Sequence, residues 1–351
     1  MILERLSFKN INLSDPFFDS LKADYKEFPS WFAKKAEDTA YVFKNEHGLI
    51  DGFLYVKVEE GMVGDVTPPL PPTRRLKVGT MKINAHGTKL GERFIKKIFD
   101  HAIFEKVREA YVTVFSEHRP LILLLEKYGF QQVGTKTSHN GTELVLTKQL
   151  QGISEDVVRS YPLVRLAHQK AYLLALQPQW HTRLLPDSIL KTETADIVQD
   201  VSHTNSIHKV YLAAMSGMEV LKRGDILLIY RTTDGQGPAH YRSVATSVCV
   251  VEEYRSLFSF KAQEEFLAYC RPYTVFEESE LLTLWKTRKY PHVIRFTYNI
   301  ALRKRVTRAV MIEEVGMDAG AYWGFMPLTH QQLVNVLRRG LVDESLVVNQ
   351  A

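Results

Sequence analysis

The stretch INAHGTKLGERFIKKIFDHA, residues 83–102, sets Gly87 and Gly91 at a corner where a strand runs into a helix. A helix N-terminus carries unpaired backbone N–H groups and the positive end of the helix dipole. Small residues at such a corner let the main chain approach an anion closely, so that a phosphate can collect several hydrogen bonds. Lys89 and Arg93 add positive charge, while Leu90, Phe94 and Ile98 recur at helical spacing and seat the helix on a sheet. A plain strand–helix turn uses the same residues, and spacing alone does not separate the two readings. Further on, VFSEH ends a strand with Ser116, Glu117 and His118. A carboxylate or imidazole there can take a proton from an attacking amine. A solvated loop ending in a helix cap fits those residues equally well.

A second chemistry is written between Trp285 and Arg308. Eight basic residues fall there, Lys286, Arg288, Lys289, Arg295, Arg303, Lys304, Arg305 and Arg308, with no acidic residue among them. Trp285, Tyr290, Phe296 and Tyr298 are interleaved. Cations that meet phosphates beside rings that stack bases are what single-stranded RNA or a flexible tRNA end requires. Arg231, within Tyr230-Arg231-Thr232, joins this set, and Ser202-His203-Thr204-Asn205 is a further polar group; both also fit turns and strand ends. A strand pair with a solvated basic face is the alternative, and the alternation in HVIRFTYNI places some of those rings in a core. His203 and His208 stand five apart without a cysteine pair, and Cys249 lies among valines, so no metal is predicted. No Ser-His-Asp or phosphate-loop signature is present.

The elements that must hold these residues follow from pattern. With 351 residues, 45% hydrophobic and 24% charged, the chain has room for two soluble domains. A net charge of +5 does not by itself demand a nucleic-acid partner. Two cysteines, Cys249 and Cys270, fit a reducing compartment. Glu4 and Arg5 stand where a signal peptide needs apolar residues, and the densest apolar run, Leu121–Leu125, is far short of a membrane span. A cytoplasmic protein is expected, with no membrane partner.

Residues 1–150 alternate strands and helices. LERLSFKNI, TAYVFKN, GLIDGFLYVKVEE, RRLKVGTMKINA and EAYVTVFSE read as strands, and QQVGTKTS with TELVLTK as a terminal hairpin. PFFDSLKADY, capped by Ser14 or Asp15, FPSWFAKKA, the helix after the corner and RPLILLLEKYGF read as helices. A mixed sheet with helices on its faces results, an α/β plan. Prolines 68, 69, 71 and 72 predict an extended, stiffened loop, most simply a rigid hairpin cover. The polar, Gly-broken segment at about 149–157 is the expected boundary. Residues 158–345 are strand-rich in the middle, with helices at KAQEEFLAYC, ESELLTLW and THQQLVNVLRR, an α+β or small-barrel plan.

The order of elements and the corner after the fourth strand resemble the GNAT acetyltransferase family. In that family the corner carries a Gln/Arg-x-x-Gly-x-Gly/Ala loop for the pyrophosphate of acetyl-CoA. Laid on this sequence, His86 takes the first position, Lys89 that of the first glycine, and Gly91 the last. Lysine is compatible there if its φ is negative. LLLEKYGF, 123–130, resembles the family's helix end, with Leu125 where many members carry the tyrosine that protonates the leaving thiolate, and Tyr128 one turn on. The resemblance implies acetyl-CoA as co-substrate, held by Met81, Lys82, Ile83, His86, Gly87, Thr88, Lys89, Leu90, Gly91, Glu92, Arg93 and Ser116. Glu117, His118 and Tyr128 are the catalytic candidates it leaves. KVYLAAMSGMEVLKRGDILLIYRT with YRSVATSVCVVEEY resembles the PUA-like superfamily, particularly its ASCH and EVE-type branches, small β-barrels that commonly bind RNA or modified bases. Together the two resemblances imply an N-acetyltransferase acting on an RNA-linked amine, either the aminoacyl end of a charged tRNA or a tRNA base. By analogy they extend to a toxin with a cognate antitoxin, and to a homodimer. An RNA-binding regulator with a degenerate or CoA-sensing GNAT domain, and a protein N-acetyltransferase, remain open beside it.

Overall fold

The computed structural model describes residues 2–84, 89–152, 154–185 and 207–348, apart from the side chain of Ile2. They form two compact units, the first ending at Gln151 and the second beginning at Gly152.

In the first unit the strands are β1 (Ile2–Ser7), β2 (Thr39–Lys44), β3 (Ile50–Val63), β4 (Leu70–Ile83), β5 (Glu109–Phe115), β6 (Gln131–Ser138) and β7 (Gly141–Gln149). The helices are α1 (Asp19–Asp24), α2 (Phe28–Lys34), α3 (Leu90–Phe104) and α4 (Arg119–Lys127). The sheet runs β1-β2-β3-β4-β5-β7-β6 and is antiparallel except for β4 beside β5. This is the mixed, helix-flanked sheet that the alternating pattern predicts. Asp15 supplies the expected cap, its carboxylate accepting from the N–H of Phe17 at 2.9 Å just before α1.

Alternation along β3 sends successive side chains to opposite faces. Phe53 joins a cluster of rings under α1 and α2, where Phe8 lies 4.7 Å from Phe32 and 5.6 Å from Phe53, centroid to centroid. On the other face α3 comes so close that a Cβ on Gly52 would meet Leu90 at 2.7 Å. The proline-rich segment is a hairpin tip. Pro71 and Pro72 lie at a register irregularity where β4 begins, so no ladder bond needs their missing N–H. Thr67 exchanges two backbone hydrogen bonds with Thr135 of β6, at 2.7 and 2.9 Å, which pins the tip as a cover.

The second unit holds β8 (Val164–Arg165), β9 (Ala171–Leu176), β10 (His208–Ala213), β11 (Ile226–Arg231), β12 (Val244–Ser256), β13 (His292–Thr307), β14 (Phe325–Leu328) and β15 (Val347–Val348). Around them stand α5 (Val157–Ser160), α6 (Pro178–Leu184), α7 (Ala239–Arg242), α8 (Gln263–Cys270), α9 (Glu278–Thr287), α10 (Arg308–Glu313) and α11 (His330–Arg339). Six strands make one sheet, β10-β13-β12-β11-β9-β14, and β8 pairs with β15 apart from it. The expected small β-barrel is corrected: among the described residues the outer strands β10 and β14 do not pair, so the sheet stays open. Closure needs strands matched in length and stagger, and β14 has only four residues against the 16 of β13. Three register shifts between β12 and β13 bend the sheet without closing it.

Cys249 in β12 and Cys270 at the end of α8 are both buried and unpaired with each other. Burial pushes both thiols up, Cys270 to about 12. No described helix is long and apolar enough to cross a membrane.

Candidate functional site

The first unit contains a split between two neighbouring strands. β4 and β5 pair only from Leu76↔Ala110 to Val78↔Val112, although β4 runs on to Ile83 and β5 to Phe115. Beyond that point each keeps its outer neighbour, β3 through Gly52↔Ile83 and β7 through Phe115↔Glu143. The cause is local. Thr80 pairs with Tyr55 and Val78 with Val56, leaving Gly79 as an extra residue in β4. Such a bulge bends its strand and increases the twist. A side chain does not fit at the bulge, since a Cβ on Gly79 would lie 2.7 Å from the Tyr55 ring. The result is a wedge whose inner edges carry backbone N–H and C=O groups with no ladder partner among the described residues.

A buried carboxylate sits where β5 borders this wedge. Glu143 accepts a hydrogen bond from the Tyr25 hydroxyl at 3.0 Å and another from Thr113 at 3.1 Å, both on Oε1. The Tyr25 ring lies 5.4 Å from that of Phe115. Burial, then the charges of Glu143, Asp24 and Glu117, pushes the Tyr25 pKa well above its usual value, so it keeps its proton at neutral pH. His118 approaches Asp24 at 3.8 Å, and Ser116 donates to Glu117 at 3.4 Å. The end of β5 is thus rimmed by Asp24, Glu117 and Glu143, an environment that favours a cationic amine. Sequence reading named Glu117 and His118 but missed Tyr25 and Glu143. These two lie 118 positions apart, and only their shared hydrogen bond announces them.

The three catalytic candidates are not brought together. Glu117 and His118 precede α4, whereas Tyr128 caps its far end, about 14 Å away at the rise of nine helical residues. Tyr128 is fully buried, with the Lys127 ammonium 5.2 Å from its ring centroid. Leu125 is fully buried too and carries no hydroxyl, and the Tyr128 hydroxyl is enclosed with its ring.

Among the cofactor candidates, Met81, Lys82 and Ile83 lie on the separated part of β4. Lys82 is engaged elsewhere, donating to the Phe17 carbonyl and, at 2.6 Å, to Ser20. His86, Gly87 and Thr88 lie outside the described residues. Lys89 is exposed and caps α3 with φ +55°, so the negative φ that would make lysine compatible at the glycine position is not found. It keeps the left-handed backbone a glycine would take, at a cost of roughly 1–2 kcal/mol. Gly91 serves packing: a Cβ there would meet Leu124 of α4 at 2.7 Å. Arg93, expected to face an anion, is buried with its guanidinium 5.5 Å from the Phe43 ring centroid, because its place on α3 turns it toward β2. Glu92 is buried beside Lys127 at 2.8 Å, and Leu90 is buried in the core.

The second unit encloses a cavity of about 460 Å³. Trp180, Tyr211, Tyr230, Phe276, Tyr290, Tyr322 and Trp323 line it, with Gln177, Thr232, Thr233, Ser243 and Arg308 as its polar groups. The Arg308 guanidinium lies 4.6 Å from the Trp323 ring centroid, and Tyr230 stands 5.3 Å from Trp323. Rings about a hollow of this size, interspersed with hydrogen-bonding groups, suit a planar heterocycle. Of the predicted nucleic-acid residues only Arg308 lines the cavity. The basic run does not form one face, since β13 spans about 50 Å and separates its ends. Lys286, Arg288 and Lys289 gather around the end of α9, where Arg288 stacks 3.5 Å from the Trp285 ring centroid. Arg295 is tied to Glu252 and Glu253 at 3.4 and 3.2 Å, and Arg303 approaches Asp343 at 3.8 Å. Lys304 is exposed at the opposite end, close in sequence to the half-buried Arg305. Phe296 and Tyr298 belong to the core, as the alternation in β13 requires. Ser202–Asn205 lie outside the described residues.

No family model matches the sequence, and no curated protein does. Solved structures are similar in part. Aminoglycoside 6′-acetyltransferase type Ii is 16% identical, over 44% of this chain and 100% of its own, with a TM-score of 0.32. The ribosomal-protein-alanine N-acetyltransferase of Brucella melitensis is 15% identical, over 42% and 99%, at a TM-score of 0.32. A mutant of the ZmASCH protein from Zymomonas mobilis is 7% identical, over 49% and 97%, also at 0.32. The chain is therefore similar to GNAT acetyltransferase folds over about 43% of its length and to an ASCH protein over about 49%.

Proposed function

We propose that the protein is an acetyl-CoA-dependent N-acetyltransferase acting on a primary amine carried by RNA, the aminoacyl end of a tRNA or a tRNA base. The β4–β5 wedge carries this reading. An amide-containing arm laid along the unpaired edge of β4 finds donors and acceptors already aligned, as a further strand would. The N-terminus of α3, with the exposed Lys89 at its cap, is the place for phosphate. Bound acetyl-CoA would supply an activated acyl group. The chain's own part is to hold that group still, to receive the amine, and to take its proton. Glu143 and Glu117 are the groups for proton removal, and Tyr25 holds the Glu143 carboxylate in place through its hydroxyl. Positioning and backbone polarisation supply the rest. The RNA half of the proposal draws support from the aromatic cavity and Arg308.

A second reading, a CoA-binding regulator without transfer activity, is favoured by the burial of Leu125 and Tyr128. The test is radiolabelled acetyl transfer onto total tRNA beside a protein extract, with calorimetry of acetyl-CoA binding. Label on tRNA is expected. Label on protein alone overturns the RNA half, and absence of acetyl-CoA binding overturns the whole.

A further inference from the structure

Strand register brings two arginines of the second unit near one another: Arg231 pairs with Val244 of β12, and Arg305 lies in the irregular stretch of β13 opposite Thr246. Arg231 ends β11 and Arg305 lies near the end of β13, both half-buried. Among the described residues neither makes an ion pair or hydrogen bond through its side chain, and the Arg231 Nε is buried without a partner. Beside them α6 brings His181, which is completely buried. Its Nε2 lies 2.7 Å from the Thr246 hydroxyl, and its Nδ1 has no partner. The single Thr246 proton goes either to Nε2 or, at 3.5 Å, to the Ile229 carbonyl; given to the nearer Nε2, it leaves the neutral imidazole with its proton on Nδ1 as an unused donor.

We propose that Arg231, Arg305 and His181 form a binding site for a phosphoryl group. Two guanidiniums and an imidazole N–H from three separate elements suit a tetrahedral oxyanion with oxygens on several sides. A carboxylate offers two oxygens in one plane and half the charge. The electrostatics points the same way. Burial, then Arg231 and Arg305, drives the His181 pKa down to about 3, and burial with Arg231 lowers that of Arg305. Natural chains seldom bury like charges together without something to neutralise them. The site stands on the second unit alone, so it holds even where acetyl transfer fails.

The experiment uses the full chain at constant ionic strength, titrated by calorimetry and thermal unfolding with inorganic phosphate, acetate and a short single-stranded oligonucleotide. Phosphate is expected to bind and raise Tm, acetate not. Arg231→Gln and Arg305→Gln should each weaken phosphate at least tenfold. Without phosphate each variant should be as stable as the parent or more so, because removing one cation relieves the other. Phosphate should also move the His181 ring resonances toward a higher titration midpoint. Binding of inorganic phosphate alone identifies a free phosphate or monoester as the occupant, and competition by the oligonucleotide identifies a phosphodiester; either result supports the site. Phosphate that stabilises no more than acetate, or variants that lose stability without it, overturns the proposal by making the arginines structural.

Discussion

Glu143 is the residue on which the proposed chemistry turns. Its carboxylate is buried, yet it accepts from two hydroxyls on one oxygen, beside the end of β5 that has parted from β4. Replacing it by glutamine keeps the volume and removes the base. Glu143→Gln should lower kcat for acetyl transfer about 100-fold, in the range of a lost general base, with the affinity for acetyl-CoA unchanged. Tyr25→Phe should cost less, about tenfold, since it removes one hydrogen bond and leaves the carboxylate. Steady-state rates beside calorimetric affinities check both, and a Glu143→Gln enzyme at full rate would return the role to Glu117 or His118. Neither Tyr25 nor Glu143 was legible beforehand. One ends a short helix and the other starts a hairpin strand, and neither carries a motif. Arg93 shows the opposite failure, a charge whose position in the corner motif suited an anion while its place on α3 turned it toward Phe43.

At the scale of elements, the opening itself depends on the bulge at Gly79. Gly79→Ala should destabilise the protein by about 1–3 kcal/mol, because the added methyl meets a ring that cannot swing away. That ring is held by the Tyr55 hydroxyl donating to Asp38 at 2.6 Å. Urea unfolding measures the loss, and acetyl-CoA affinity should fall with it, since relief of the clash shifts β4 at the mouth of the wedge. The strands and helices of the first unit were readable from periodicity, the residue-by-residue switch between period 2 and 3.6. The bulge was not, as it is one residue of mismatch between β3 and β4 that appears only when both are paired. In the second unit the extension of β13 to Thr307 was hidden by its charged end, LRKRVT. The open sheet was hidden as well, because strand count alone does not say whether the outer edges meet.

For the molecule as a whole, the buried imidazole sets an acid limit. His181 titrates near 6.5 when unfolded and at about 3 when folded. Below pH 6.5 the unfolded chain binds a proton that the folded chain refuses, so this contribution is complete above that pH and declines as pH falls toward 3. The decline amounts to about 1.7 kcal/mol between pH 6.5 and 5, the slope rising from half toward its full value of roughly 1.4 kcal/mol per unit. His101 and His292 are shifted the same way by burial and add to it. Urea midpoints across that range should show the slope, and His181→Gln should flatten it. An unchanged slope would place the proton elsewhere.

The two cysteines carry a practical corollary. With both sulfurs enclosed and Cys270 held to about 12, the native chain offers a disulfide reagent almost no thiolate at neutral pH. Colour from an aromatic disulfide would then count only the free thiol liberated from a spent acyl carrier, turnover by turnover. The same reagent in denaturant should titrate two equivalents, so one dye tests the proposed acetyl transfer in buffer and reports cooperative opening of the second unit in urea.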